Sequence, residues 1–218
     1  MTSSRMGRLG NKLTAVDFAK VFFGQPMNII SGLKSTLADA DRILVIGCPG
    51  SGKSTLARGL SRKLDLRYIS MDRDFYWLPG WRKRPRDEID RLIADAVTEE
   101  RWIMDGTGLN SFHLRLPRAE AVIWLRPSRY ACLFGAVSRT FRYFRRNRPE
   151  LPAGCPERIS LDALAYIWNF ERDAVPLIEA ALRDYVAGSA ERGLGNQVLQ
   201  LKSRRQMREL LDLLGAPA

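Results

Sequence analysis

The chain has 218 residues, 45 % of them hydrophobic, enough for one buried core in one domain with at most a small insertion. Its 35 Lys and Arg against 24 Asp and Glu give a net charge of +11, and 28 of the basic residues are Arg, so polyanionic partners are expected: nucleotides, nucleic acid or an acidic membrane surface. Three cysteines, odd in number and without C-x-x-C spacing, indicate neither a disulfide framework nor a zinc site. No apolar run approaches the roughly 18 residues of a membrane span and no secretory signal is visible, so a soluble cytoplasmic protein without stable membrane insertion is expected.

In chain order, residues 1–40 read as an N-terminal helical extension. Two patches of helical spacing flank Gln25 and Pro26, and no strand pattern occurs. From residue 41 to 218 the pattern is that of one domain, with short β-rich runs alternating with helical segments. The runs are RILVI, LRYIS, RWIM, AVIWL and QVLQL, and this alternation predicts an α/β fold with parallel strands and crossover helices. After the second run, FYWLPGW is read as helical. A helix is predicted in PRDEIDRLIADAV, where Ile89, Leu92, Ile93, Ala96 and Val97 share a face behind Pro85, Asp87 and Glu88. A long helical region over about 128–182 is interrupted by NRPELPAGCPE. Ser203 and Gln206 have capping-box spacing ahead of a final helix with Met207, Leu210, Leu211 and Leu214.

The strand RILVI leads directly into GCPGSGKS, Gly47 to Ser54, followed by helix-forming STLARGLSRKL. This is the G-x-x-x-x-G-K-[ST] spacing in the strand-to-helix setting its chemistry requires. Gly47, Pro49, Gly50, Ser51 and Gly52 are expected to aim backbone N–H groups at a β-phosphate; Lys53 should bridge the β- and γ-phosphates; Ser54 should supply a hydroxyl to Mg²⁺, with Thr55 behind it. ATP with Mg²⁺ is the expected ligand. No Asn-Lys-x-Asp element follows the loop, which disfavours a GTP switch.

Asp105, closing RWIMD, is the candidate metal-associated acid. Asp72, after RYISM, is a candidate to orient or deprotonate an acceptor, with Asp74 ranked below it. Arg126, Arg129, Arg139, Arg142, Arg145, Arg146 and Arg148 occupy a stretch without acids, and two or three of them are expected to stabilise phosphoryl charge. Phe141, Tyr143 and Phe144, interleaved there, also suit single-stranded nucleic acid. Arg115 and Trp81 are candidate acceptor contacts. His113 is the only histidine, so no His-based catalytic pair or metal cluster is expected.

The order of phosphate loop, MDRDFYWLPGW, WIMDGTG, LRLPRAEAVIWL, GCPERISLDALAYIWNF and LKSRRQMRELL resembles the adenylate-kinase-like P-loop proteins labelled DNA topology modulation proteins, from about Asp41 to Leu214. The resemblance implies a nucleoside-monophosphate-kinase-like P-loop NTPase fold. Its parts would be a five-stranded parallel sheet flanked by helices, an acceptor-binding part after the second strand, and a helical lid at about 139–160. It implies Gly47 to Thr55 as the ATP site, Asp105 as the metal-associated acid, and Arg139 and Arg142 as lid arginines. Gly135 stands where such kinases carry an adenine-stacking arginine, four residues before Arg139, leaving Arg129 or the segment Ser203 to Arg205 for that task. The expectation is a Mg-dependent kinase moving the ATP γ-phosphate to a small acceptor, nucleotide or nucleoside first. The alternative is a nucleic-acid-associated ATP-binding regulator or an ATPase without a small-molecule acceptor, nucleic acid being a secondary partner.

Overall fold

The computed structural model describes residues 37–146, 148–157, 160–191 and 197–215. Most of the expected N-terminal extension, residues 1–36, lies outside the described residues. Its end, Leu37 and Ala40, is buried in the core.

Five strands form one parallel sheet: β1 (Arg42–Gly47), β2 (Arg67–Ser70), β5 (Trp102–Asp105), β6 (Ala121–Leu125) and β7 (Gln197–Leu201), in the order β2-β5-β1-β6-β7. All five coincide with the predicted runs to within a residue. Side chains alternate across the pleat: Leu44 and Ile46 enter one hydrophobic layer with Val122 and Trp124, while Ile43 and Val45 enter the other with Ala121, Ile123 and Leu125. A strand buried on both faces reads as an unbroken apolar run, which is why RILVI and AVIWL stand out.

The helices are α1 (Lys53–Leu64), α2 (Arg86–Ala96), a short α3 (Phe112–Arg115), α4 (Arg129–Arg142), α5 (Leu161–Asp173), α6 (Val175–Glu191) and α7 (Arg204–Gly215). Helix α2 starts after Pro85 and buries Ile89 and Ile93, as its spacing requires. Ser128 and Ser160 cap α4 and α5, accepting hydrogen bonds from the N–H groups of Ala131 and Ala163. At α7 the cap is reciprocal: Gln206 N–H donates to the Ser203 hydroxyl, and the Gln206 side chain accepts from Lys202 N–H.

The segment after β2 differs from expectation. It is not a helix through FYWLPGW; one wide helical turn covers Met71–Tyr76, and a hairpin follows, β3 (Trp77–Leu78) against β4 (Arg82–Lys83). Pro79 and Gly80 make the turn, with Gly80 at φ 78°, the positive value a Pro-Gly turn demands. The interrupted helical region is as read: α4 ends at Arg142, the described residues between it and α5 form no helix, and α5 follows. Among the described residues no helix is long and apolar enough to cross a membrane.

Candidate functional site

The ends of β1 and β5 lie side by side, with Val45 paired to Asp105 and the Gly106 N–H donating to Val45 O at 3.0 Å. The loop after β1 and the carboxylate after β5 therefore open on the same edge of the sheet. Gly47, Gly50 and Gly52 have φ of 142°, 78° and 98°, values open to glycine and strained for any other residue. Gly52 enters α1 in the left-handed region, so the loop's N–H groups converge at a helix N-terminus.

A cavity of about 910 Å³ begins at this loop and runs beneath α4 to the turn after β2. Gly47, Pro49, Gly50, Gly52, Lys53, Ser54 and Thr55 line it together with Asp72, Asp105, Arg139 and Arg142. The structure thus brings together most of the residues that the sequence marked. Ser51 is buried within the loop and faces a smaller cleft of about 240 Å³ shared with Ser203 and Arg204.

Lys53 Nζ donates to the Cys48 carbonyl at 2.8 Å. Burial pulls its ammonium below the ordinary lysine range, while the Asp105 carboxylate acts against that. Asp105 is 4 % exposed; Tyr68 donates to its Oδ2 at 3.1 Å, and the Ser54 hydroxyl lies beside it. Burial pushes its carboxyl above the ordinary range, and Ser54 and Lys53 oppose the shift. Asp105 is therefore a desolvated acid next to a hydroxyl and an ammonium, where a cation would be strongly attracted.

Asp72 is different. Its side chain is 49 % exposed in the cavity, with Arg148 Nη2 at 3.8 Å. Asp74 points away, paired with Arg73 at 2.7 Å and accepting from the Ser70 N–H.

The seven arginines separate by environment. Arg126 pairs with Glu171 and Glu179, and Arg129 stacks on Trp168, so neither enters the cavity. Arg139, Arg142 and Arg148 do enter it, while Arg145 and Arg146 are exposed outside. Glu157, 4 % exposed, lies between Arg139 at 3.2 Å and Arg148 at 3.0 Å, and the Thr140 hydroxyl donates to it. Glu150, also buried, pairs with Arg58 of α1 at 2.6 Å.

Two candidate acceptor contacts have other tasks. Arg115 is fully buried and its guanidinium donates to Ser111 Oγ and to the carbonyls of Gly106, Thr107 and Gly108, holding the turn after β5 from beneath. Burial pulls it down to about 10. Trp81 does not line the cavity: its indole N–H donates to Pro156 O at 3.1 Å, its ring meets Trp77 edge-on at 5.2 Å, and it ties the hairpin to the segment after α4.

The sequence reading missed Thr107, Glu150 and Glu157; Arg204 lies in the segment Ser203 to Arg205 that it offered for adenine stacking. Thr107 joins the loop to β5 through its hydroxyl, which accepts from Gly47 N–H and donates to Gly47 O. Gly135 packs where a Cβ would overlap the Gly50 carbonyl oxygen, and beside it Arg204 lies 5.9 Å over the Phe134 ring at the cavity mouth. A Thr two residues after a strand-closing Asp was the one available signal for Thr107.

The strand order, the glycine loop between β1 and α1, and the acid closing β5 decide the architecture. The fold is an α/β P-loop architecture, a five-stranded parallel sheet flanked by helices with a glycine loop between its central strand and the first helix. A family model described as an AAA domain matches residues 43–131. Among solved structures, the shikimate kinase of Acinetobacter baumannii in complex with shikimate is 14 % identical, with a TM-score of 0.41 over 83 % of this chain and 96 % of that one. The shikimate kinase of Bacteroides thetaiotaomicron is 14 % identical, with a TM-score of 0.41 over 80 % and 96 %. That of Aquifex aeolicus is 16 % identical, with a TM-score of 0.39 over 78 % and 92 %. No curated protein sequence matches the chain.

Proposed function

We propose that the chain is an ATP-dependent phosphotransferase that moves the γ-phosphate to a small acceptor, with nucleotides and nucleosides the first classes to try. The observation that carries this reading is the single cavity in which the phosphate loop, Asp105, the arginines of α4 and the exposed carboxylate of Asp72 face one another. A binding module needs the loop; it has no use for a carboxylate and arginines placed beyond it.

Each residue then has a task. The loop N–H groups hold the β-phosphate, and Lys53 leaves the Cys48 carbonyl to bridge β- and γ-oxygens. Arg139 and Arg142, one turn apart on α4, neutralise the charge that spreads over the transferring group. The Ser54 hydroxyl and the Asp105 carboxylate are hard oxygen donors, directly or through water, and fit Mg²⁺, which would supply charge neutralisation at the phosphates. Arg204 and Phe134 at the mouth offer a flat surface for a purine, the task that Gly135 cannot perform. The segment at 139–160 acts as the lid, and its closure excludes water. Three buried free thiols fit a reducing, cytoplasmic setting. Membership of the topology modulation proteins belongs to the same proposal and rests on the shared motifs.

Lys53→Ala tests the premise. Loss of ADP formation with Mg-ATP, with the circular dichroism of the parent retained, is expected; unchanged nucleotide affinity and turnover would remove the assignment. One observation favours a second reading. Phe141 and Phe144 are 72 % and 57 % exposed beside Arg142, Arg145 and Arg146. Such a face suits single-stranded nucleic acid. Affinity for an oligonucleotide that falls steeply with salt, together with ATP turnover that needs no acceptor, would favour it.

A further inference from the structure

Resting on the phosphotransferase reading, we infer that the acceptor is an uncharged, ring-bearing alcohol and not a phosphate ester. The far end of the cavity carries the argument. Asp72, Tyr76, Tyr143, Arg148, Glu150 and Tyr166 line the cavity outside the phosphate loop, Asp105 and helix α4.

Its cations are already matched. Arg148 lies between Glu157 at 3.0 Å and Asp72 at 3.8 Å, Arg139 shares Glu157, and Arg58 is paired with buried Glu150. Arg115, outside the lining, is used up on backbone carbonyls. Arg204 and Arg208 line the cavity from α7, whose Met207 packs against Gly52 of the phosphate loop, and so stand on the donor side. Arg142 also lines the cavity, one turn from Arg139, and together with Lys53 it serves the phosphates of the donor. A monophosphate acceptor would bring a charge of about −1.5 to −2. It would enter an end where Asp72 and Glu150 already stand and where Arg58 and Arg148 each have a carboxylate, Arg139 being given to the transferring group. Sites that bind phosphate esters leave arginine forks open to take the oxygens in pairs, and like charge at close range opposes binding.

A hydroxyl asks for something else: one acceptor for its proton. The Asp72 carboxylate is half exposed, and its only ion-pair partner, among the described residues, stands at 3.8 Å, beyond hydrogen-bond length. Its lone pairs are therefore open toward the cavity. The acceptor oxygen forms a bond to Pγ as its proton passes to Asp72. The bond from Pγ to the bridging oxygen breaks, and its electron pair leaves on ADP. Tyr76, Tyr143 and Tyr166 supply flat, amphipathic surface that suits a ring bearing hydroxyl groups.

The test uses the full chain with Mg-ATP. ADP formation is followed with the four common nucleoside 5′-monophosphates, with the matching unphosphorylated nucleosides, and with carbocyclic and aromatic alcohols. Turnover with a member of one uncharged arm and none with the monophosphates is expected, and the arm that responds tells a nucleoside from another ring alcohol. On that alcohol D72N should lose about 10²- to 10⁴-fold in kcat with ATP affinity retained. Saturable turnover of a monophosphate, or its saturable binding beside a non-hydrolysable ATP analogue, overturns the inference and leaves the phosphotransferase standing. D72N matching the parent on the alcohol also overturns it. Silence in every arm removes the phosphotransferase reading and this inference with it.

Discussion

The hydroxyl of Thr107 is bonded twice to one residue, Gly47: it accepts from the Gly47 N–H at 3.0 Å and donates to the Gly47 carbonyl at 2.6 Å. One side chain from the β5 end thus serves both polar groups of the first loop residue, in a buried place where water cannot replace it. Thr107→Val keeps the shape and removes both bonds. Urea unfolding is expected to show a loss of about 1–3 kcal/mol, and ATP titration a weaker, several-fold shifted affinity. An unchanged variant in both would mean that the loop holds its form unaided.

Asp105 is an acid that its burial holds above the ordinary carboxylate range. Its carboxyl is raised by burial, so the folded state keeps a proton that the unfolded chain has released. In the metal-free protein the Asp105 contribution is most favourable below the ordinary carboxylate value of 3.8 and is lost as pH rises through the elevated one. Asp105→Asn removes that dependence. Melting temperatures taken from acid to neutral pH should decline less for the variant than for the parent, while Mg-ATP turnover falls by at least about 10²-fold. Parallel curves would show that Asp105 does not titrate as its burial implies.

Glu157 is the hinge of the charge pattern. It is shared by Arg139 and Arg148, and the two guanidiniums repel once it is gone. Glu157→Ala is expected to cost about 3–5 kcal/mol, the range for leaving a buried charge without its partner. A double-mutant cycle with Arg148→Ala should return a coupling energy above about 0.5 kcal/mol; additivity would place the two residues in separate roles.

For Arg115 the expectation concerns what does not change. Arg115→Lys keeps the charge but loses the fork that reaches Ser111 and three carbonyls. The melting temperature should fall by several degrees. At a temperature where the variant is folded, the KM for the acceptor should stay within about twofold of the parent. A large acceptor KM effect without loss of stability would restore Arg115 as a substrate contact.

These residues also mark how far the sequence could be read. The sheet was legible because RILVI and AVIWL are buried on both faces and therefore apolar throughout. The loop was legible because its glycines, Lys53 and Ser54 are consecutive. Asp105 followed from its place at a strand end. Glu157 could not be assigned in the same way, since its role comes from lying against Arg139, eighteen residues away, across a chain reversal. Nor does a basic residue announce whether it faces a ligand or a carbonyl: Arg115 and Arg139 look alike in one dimension, and only the packing of the turn after β5 separates them. The hairpin after β2 was not legible in FYWLPGW, which reads as helical. Pro79 and Gly80 were the better guide, as the chain turns there.

The absence of a side chain at Gly135 lets α4 press its backbone directly against the Gly50 carbonyl oxygen. That seat makes α4 a lever with its fulcrum at the tip of the glycine loop, and Arg139 and Arg142 ride one and two turns further along the arm. Under the proposed function, an adjustment of the loop around a triphosphate is expected to carry the two guanidiniums with it.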